Sequence, residues 1–465
     1  MNTEQRVRAA LRDLVDAVPV APPPPAAVRS RAQRYERGSG ADRARVRGAG
    51  HRLAPVLAAA GLMLVVAAVA AVGLLPRWAI SPEPSSLRGG GVAGPVLPDR
   101  FAGRTPGTAS VEAAPPGPAI AVFDHATAGT VDIPVVVGVD GRTYREVGDV
   151  SRLTNAGDDP VLLAPDGSAL AGGGGSFLDL TTGELTVRPV LPGDTLRDGW
   201  KPTVPLAWSP DGRWLAYGRI PVPEGDRTDL ALLDLDTGEV TFVTTGRGDG
   251  PPRVAFSPDS SELAVSTGVA DGGAAIRIFD LAGDLVRELS PPAGHLLAPN
   301  GTAWSPDGAL LLVQDPQRPR RLAFVDASGT GAAVPGPVTV DQPYGVEPVG
   351  WRGPETLLLA AYREPGSASG VPRSLARLVE VPVAGGASRV VSVFPHGERD
   401  HVEDVRLASG LLPLAEIRDA GRLDHGPVPA EYWIPRVAGG AMALVAALLA
   451  GLLVRRWWAG RRAAP

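Results

Sequence analysis

The residues best suited to chemistry form a short polar cluster near the carboxyl end of the chain. Six side chains of metal-ligand type fall within nine residues there: His396, Glu398, Asp400, His401, Glu403 and Asp404. Imidazole and carboxylate groups at this density could hold a divalent cation. The alternative is a solvated charged loop, which we favour. We therefore predict no metal and no other cofactor.

A second acidic group, Asp234, Asp236 and Glu239, faintly resembles a calcium-binding loop. These residues fall in Asp-Leu-Asp-Thr-Gly-Glu, where Asp, Thr and Gly suit a tight turn, and we favour the turn. The glycines from Gly172 to Gly175 follow an apolar run but do not open a helix, so they do not indicate a phosphate-binding loop.

Motifs of enzymes are missing from the sequence. The chain has no cysteine, which excludes disulfides, Cys-ligated zinc and thiol catalysis. It also lacks a Gly-x-Ser-x-Gly elbow, a Walker A loop and a His-Glu-x-x-His pair. We expect a non-catalytic protein and predict no catalytic residue.

A repeat in the middle of the chain must position any site that exists. Four segments align without gaps: VLLAPDGSALA, LAWSPDGRWLA, VAFSPDSSELA and TAWSPDGALLL. Their prolines are 45, 48 and 48 residues apart. The repeated positions that we predict to shape the turns are Pro165, Asp166, Gly167, Trp208, Pro210, Asp211, Gly212, Phe256, Pro258, Asp259, Trp304, Pro306, Asp307 and Gly308.

Each copy predicts a β-hairpin. Proline fixes φ at the turn, aspartate caps the turn through its side chain, and glycine takes the left-handed position. Ser260 replaces glycine in the third copy, so that turn should be less ideal. A second hairpin follows in each unit, with a turn such as Asp234-Leu-Asp-Thr-Gly. Two hairpins in about 45 residues make four strands, the size of one propeller blade. Trp351 falls 47 residues after Trp304 and marks a degenerate fifth copy.

These units resemble the WD40-like repeats of TolB-type propellers. The resemblance rests on Trp208-Ser-Pro-Asp-Gly-x-x-Leu-Ala followed by Asp234-x-Asp-Thr-Gly, and it covers roughly residues 115–425. It implies an all-β propeller that is used for binding, often of protein partners. We place the propeller at residues 119–425, where six or seven blades would fit.

Two uncharged stretches predict membrane-spanning helices, Leu53–Leu75 and Val437–Val454. Residues 1–52 carry a net charge of +6 and residues 455–465 a net charge of +4. Because basic residues mark the cytoplasmic side, both termini should be cytoplasmic and the propeller extracytoplasmic, in a two-pass protein of the cell membrane. The Pro/Gly-rich residues 76–118 are expected to be a linker.

The N-terminal segment has its own pattern. Val7, Leu11, Leu14 and Val18 recur at helical spacing, which predicts a short amphipathic helix. Such a helix could lie on the membrane surface, or it could bind a cytoplasmic factor. The second option makes the layout similar to that of transmembrane anti-sigma factors.

Function follows from this organisation. The leading hypothesis is a membrane-anchored binding or scaffold module whose propeller binds an unknown extracytoplasmic protein, peptide or glycan. The alternative is a signalling regulator, with the propeller as sensor and the N-terminal helix as effector. The acidic middle of the chain argues against a nucleic-acid partner, because phosphate contacts require Lys and Arg.

Overall fold

The fold is described for part of the chain. In the computed structural model, the residues described are 94–127, 133–153, 161–188, 203–219, 229–245, 252–267, 275–342, 345–363, 374–395 and 400–428, together with 442, 448–452 and 455. The predicted helix Leu53–Leu75 and the N-terminal segment lie outside these residues, as does most of Val437–Val454. Among the residues described, no helix combines the length and apolar character needed to span a bilayer.

Six four-stranded antiparallel sheets form a six-bladed propeller. Each sheet is one blade. The first three blades contain β2 (Ala119–Thr127), β3 (Ile133–Gly138), β4 (Tyr144–Glu146), β5 (Leu162–Leu163), β6 (Ala169–Ala171), β7 (Ser176–Asp179), β8 (Leu185–Val187), β9 (Thr203–Trp208), β10 (Trp214–Arg219), β11 (Asp229–Asp234) and β12 (Val240–Thr244). The blade number, which the sequence left between six and seven, is six.

The remaining blades follow in chain order. They contain β13 (Arg253–Phe256), β14 (Glu262–Ser266), β15 (Ile276–Asp280), β16 (Leu285–Leu289), β17 (Leu296–Leu297), β18 (Leu310–Gln314), β19 (Arg321–Asp326), β20 (Val338–Thr339), β21 (Val346–Trp351), β22 (Thr356–Arg363), β23 (Ser374–Pro382), β24 (Arg389–Val393) and β25 (Asp400–Leu407). Within the described parts of residues 94–428, helix is limited to short turns such as Val150–Leu153 and Leu412–Leu414.

The ring is closed by a strand from the end of the propeller. In blade 1 the order is β25, β2, β3 and β4, so β25 supplies the first strand and β2 to β4 supply the other three. Ala121 pairs with Leu407, and Thr127 pairs with Asp400. Closure by strand pairing leaves no blade as a free end of the ring.

Packing between blades explains the composition of the middle strands. Because each sheet lies between two others, both of its faces are covered, and a strand can be apolar at consecutive positions. In β22 the five residues from Leu357 to Ala361 are all buried. The core is therefore distributed between the blades, with the largest apolar cluster running from blade 4 to blade 6.

Two arms flank the propeller, one before β2 and one after β25. β1 (Val96–Pro98) in the first arm pairs in parallel with β26 (Glu416–Arg418) in the second. Val96, Leu97 and Phe101 are buried. Of the predicted linker 76–118, the described part is thus packed on the propeller, because its few large apolar side chains find partners far away in sequence.

Candidate binding site at the mouth of the propeller

The repeated Pro-Asp-Gly turns join the first and second strands of blades 2 to 5. In blade 3 the amide of Gly212 donates to the carbonyl of Ser209 over 2.9 Å, and the amide of Ser209 donates to the carbonyl of Trp214 over 2.8 Å. Gly212 has φ of 77°, in the left-handed region. The indole N–H of Trp208 donates to the carbonyl of Gly212 over 3.0 Å. The motif tryptophan is therefore fixed by its own turn.

A serine that the sequence reasoning did not single out holds three of these turns. The hydroxyl of Ser209 donates to Asp211 over 2.5 Å and accepts from the amide of Trp214 over 2.7 Å. Ser257 and Ser305 make the same pair of contacts in their turns. Recurrence of Ser before Pro-Asp was the signal in the sequence, since a hydroxyl can donate and accept at once.

The turns converge on one cavity of about 220 Å³. All six blades contribute to it. Its lining consists of Leu162, Leu163, Pro165, Trp208, Pro210, Phe256, Pro258, Asn300, Gly301, Thr302, Trp304, Pro306, Val349, Gly350, Trp351, Val405, Arg406, Leu407, Ser409, Gly410 and Pro413. Residues of the first strands and of the turns that follow them predominate. The cavity therefore lies at the mouth of the ring, on the face that carries the Pro-Asp-Gly turns, which we call the turn face.

The predicted turn residues form three groups at this mouth, which are residues that line the cavity, aspartates and glycines. The lining group is Pro165, Trp208, Pro210, Phe256, Pro258, Trp304 and Pro306. The aspartates of the turns, Asp166, Asp211, Asp259 and Asp307, are exposed beside it. Gly167, Gly212 and Gly308 have φ between 74° and 77°, and Ser260 has φ of 60°. The turn positions thus shape the mouth of the ring, although the sequence singled them out only for their turn chemistry.

Two polar side chains that line the cavity, Arg406 and Asn300, are paired with neighbouring carboxylates. Arg406 pairs with Asp404 at 2.5 Å. The amide nitrogen of Asn300 donates to Glu347 over 2.6 Å, and the hydroxyl of Tyr362 donates to the other oxygen of Glu347 over 3.2 Å.

Burial, followed by the charge of Glu347, raises the pKa of Tyr362 well above its ordinary value. Burial opposes the charged form of Arg406, but Asp404 and Glu347 outweigh it and raise the pKa. Tyr362 therefore stays neutral and Arg406 charged.

The two metal-ligand patterns have different outcomes. Asp234 caps its turn by accepting from the amides of Asp236 and Thr237. Its pKa is lowered to about 2, first by the hydrogen bond from Arg213. In the His396 cluster, residues 396–399 lie outside the residues described. Among those described, no group of three or more His, Asp or Glu side chains could hold a metal ion.

Comparison with known proteins gives distant likenesses in structure only. No protein-family model matches the chain, and no curated protein is similar to it. TolB from Acinetobacter baumannii is 17% identical, with 63% of this chain and 67% of that chain covered and a TM-score of 0.40. A putative TolB from Agrobacterium tumefaciens is 18% identical, with coverages of 63% and 99% and a TM-score of 0.36. At these identities and TM-scores, neither likeness assigns a family, an activity or a partner to the chain.

Proposed function

We propose that the chain is a membrane-anchored, extracytoplasmic binding or scaffold module, and that its partner binds at the mouth on the turn face. One observation carries the proposal. All six blades contribute to a single cavity whose lining is mainly apolar, with five prolines, three tryptophans and a phenylalanine. Concave apolar sites with a few polar groups are where proteins bind ligands. Asn300 is paired with Glu347, and Arg406 is paired with Asp404. Because these polar side chains are already engaged within the protein, the cavity favours recognition over catalysis.

The arms support anchoring at both ends. The amide of Val96 donates to the carbonyl of Val139, and the amide of Asp424 donates to the carbonyl of Arg142. Both arms therefore contact the β3–β4 connection, which belongs to the turn face. A chain with two spans must return to one membrane, so arms that both contact the same face agree with the helices predicted at Leu53–Leu75 and Val437–Val454.

Capture from native membranes tests the binding role. Ser409 is exposed and lines the cavity, so Ser409→Trp should fill the mouth without disturbing the core. The control is Ala387→Trp, at an exposed position between β23 and β24. We expect envelope proteins captured by the full chain to be lost with Ser409→Trp and kept with Ala387→Trp. Equal capture by both variants would place the binding surface elsewhere.

The regulator remains the second candidate because of the apolar spacing of Val7, Leu11, Leu14 and Val18. It predicts that a cytoplasmic factor is captured by the full chain and is lost when residues 1–52 are removed. If both baits bring down the same envelope proteins and nothing else, the N-terminal segment is an anchor only.

A further inference from the structure

The apolar cavity is bordered by negative charge. Asp166, Asp211, Asp259 and Asp307 each directly follow a proline that lines the cavity, and all four are exposed. They contribute a carboxylate from each of blades 2 to 5. We call this set the rim carboxylates.

Two of the rim carboxylates, Asp259 and Asp307, have lowered pKa values. Hydrogen bonds from Ser257 and Ser305 are the largest cause that lowers the pKa of Asp259 and of Asp307, respectively. Both groups are therefore ionised at neutral pH. Capping explains why aspartate occurs at each turn, but asparagine would cap equally well, so the charge is a separate property of this surface.

Little positive charge offsets the rim. In the four Pro-Asp turns the one basic side chain is Arg213, which pairs with Asp234 at 2.6 Å and lies 3.7 Å from Asp236. Inside the cavity, Arg406 is compensated by Asp404. The mouth therefore presents an apolar centre with a net negative border.

The aromatic side chains indicate what enters the centre. The indole N–H groups of Trp208, Trp304 and Trp351 all donate to backbone carbonyls of the propeller, so they are not available to a ligand. The three tryptophans therefore offer ring carbon to a ligand, beside the prolines of the lining. Such a surface favours an apolar or aromatic group, and ring faces also attract cations.

From the apolar centre and the negative border together, we propose that the partner is a basic protein segment that inserts an apolar or aromatic side chain into the cavity. Its Arg or Lys residues then pair with the rim carboxylates. This inference rests on the proposed function, because it names the partner class for the same mouth. Complementary charge across an interface speeds association and excludes partners of like charge.

Fluorine NMR of the full chain tests the proposal. The chain is labelled with 5-fluorotryptophan in detergent solution, and the resonances of Trp208, Trp304 and Trp351 are assigned by Trp→Phe variants. The probes are three capped pentapeptides with a central phenylalanine, flanked on each side by two Arg, two Gln or two Glu residues. We expect the Arg peptide to shift the cavity resonances, with affinity about tenfold above that of the Gln peptide and falling as salt rises from about 50 to about 300 mM.

A matched pair of variants isolates the rim. Asp166→Asn with Asp307→Asn keeps both turn caps and removes two rim charges, and it should weaken the Arg peptide about three- to tenfold. Asp315→Asn with Asp419→Asn removes two charges from capped turns that do not border the cavity, and it should change affinity less than about twofold. Equal weakening by both pairs would overturn the proposal.

The probes also separate this inference from the proposed function. If the Gln or Glu peptide binds the cavity as well as the Arg peptide, the mouth is a binding site but the basic partner is wrong. If no peptide shifts the cavity resonances, the basic partner is again wrong. If Ser409→Trp also leaves envelope capture unchanged, the proposed placement of the partner at the mouth fails with it.

Discussion

Ser260 accepts a hydrogen bond from the backbone amide of Asp211, across the boundary between blades 4 and 3, over 3.1 Å. Ser260 also lies in the left-handed region, at φ of 60°, where the matching residues of blades 2, 3 and 5 are glycines. This φ is unfavourable for serine, and the expectation that the turn is less ideal stays a prediction. The structure adds a contact that only a side chain can make.

Substitution of Ser260 separates strain from hydrogen bonding. Ser260→Ala keeps the strained φ and loses the hydrogen bond, so we expect a loss of about 1 kcal/mol in the free energy of unfolding. Ser260→Gly loses the same bond but removes strain worth about 1–2 kcal/mol, so its stability should stay near that of the wild type. Urea unfolding of the full chain measures both. Equal stability of the Ala and Gly variants would show that the turn is not strained.

Two glycines at the same turn position provide a second test. Gly167 and Gly212 have φ of 76° and 77°. A Cβ at Gly212 would meet nothing within 4 Å, whereas one at Gly167 would lie 2.1 Å from the carbonyl oxygen of Ala119 at the start of β2.

Gly212→Ala should therefore cost only the conformational strain, about 1–2 kcal/mol. Gly167→Ala adds a backbone clash at the boundary where blade 1 meets blade 2, so we expect its loss to be larger by about 2 kcal/mol or more. Thermal unfolding of the two variants provides the comparison. Similar midpoints for both would mean that the contact between Gly167 and Ala119 has no weight in ring closure.

The serine that precedes Pro-Asp can be removed from one blade and introduced into another. Ser305 is buried, and its hydroxyl donates to Asp307 and accepts from the amide of Leu310. Blade 2 has Ala164 at the equivalent position. Ser305→Ala should cost about 1–2 kcal/mol, because it leaves the amide of Leu310 without its side-chain partner. Ala164→Ser should give a smaller gain of at most about 1 kcal/mol. Chemical unfolding measures each change, and a loss on Ala164→Ser would contradict the proposed role of the serine.

The sequence predicted what is local and repeated. The turns at Pro210 and Pro306 follow from turn chemistry, and the blade size follows from their spacing. Pairing of β25 with β2 has no such signal, because β25 lacks the motif and its partner lies at the other end of the propeller.

The site was partly visible for the same reason. Four of the five prolines that line the cavity, and its aromatic residues, are positions of the repeat, but their convergence depends on closure of the ring. Phe101 was hidden in a Pro/Gly-rich segment, where composition favours a linker. It stacks on Phe394 with ring centroids 4.4 Å apart, a contact between residues nearly three hundred positions apart that no periodicity reveals.

The arms are joined at a histidine. The ring of His425 lies against Tyr144, and its Nδ1 is 3.1 Å from the hydroxyl oxygen of Thr108. Asp424 and Arg145, an ion pair at 3.1 Å, are its charged neighbours. Burial and then the charge of Arg145 lower the pKa of His425 below 6.5.

A lowered histidine pKa means that the unfolded arm binds protons more readily than the docked arm. The contribution of His425 to docking is therefore complete above pH 6.5 and is lost as the pH falls below that value. Asp424 does not oppose this trend, because its own pKa is lowered and it remains ionised. We expect hydrogen exchange in residues 94–118 and 411–428, corrected for intrinsic rates, to be several-fold faster at pH about 5.5 than at pH about 7.5.

The variant His425→Gln retains a hydrogen-bonding side chain without a titrating ring, so its exchange should show little change over this range. If the pH dependence of that variant equals that of the wild type, another group loosens the arms.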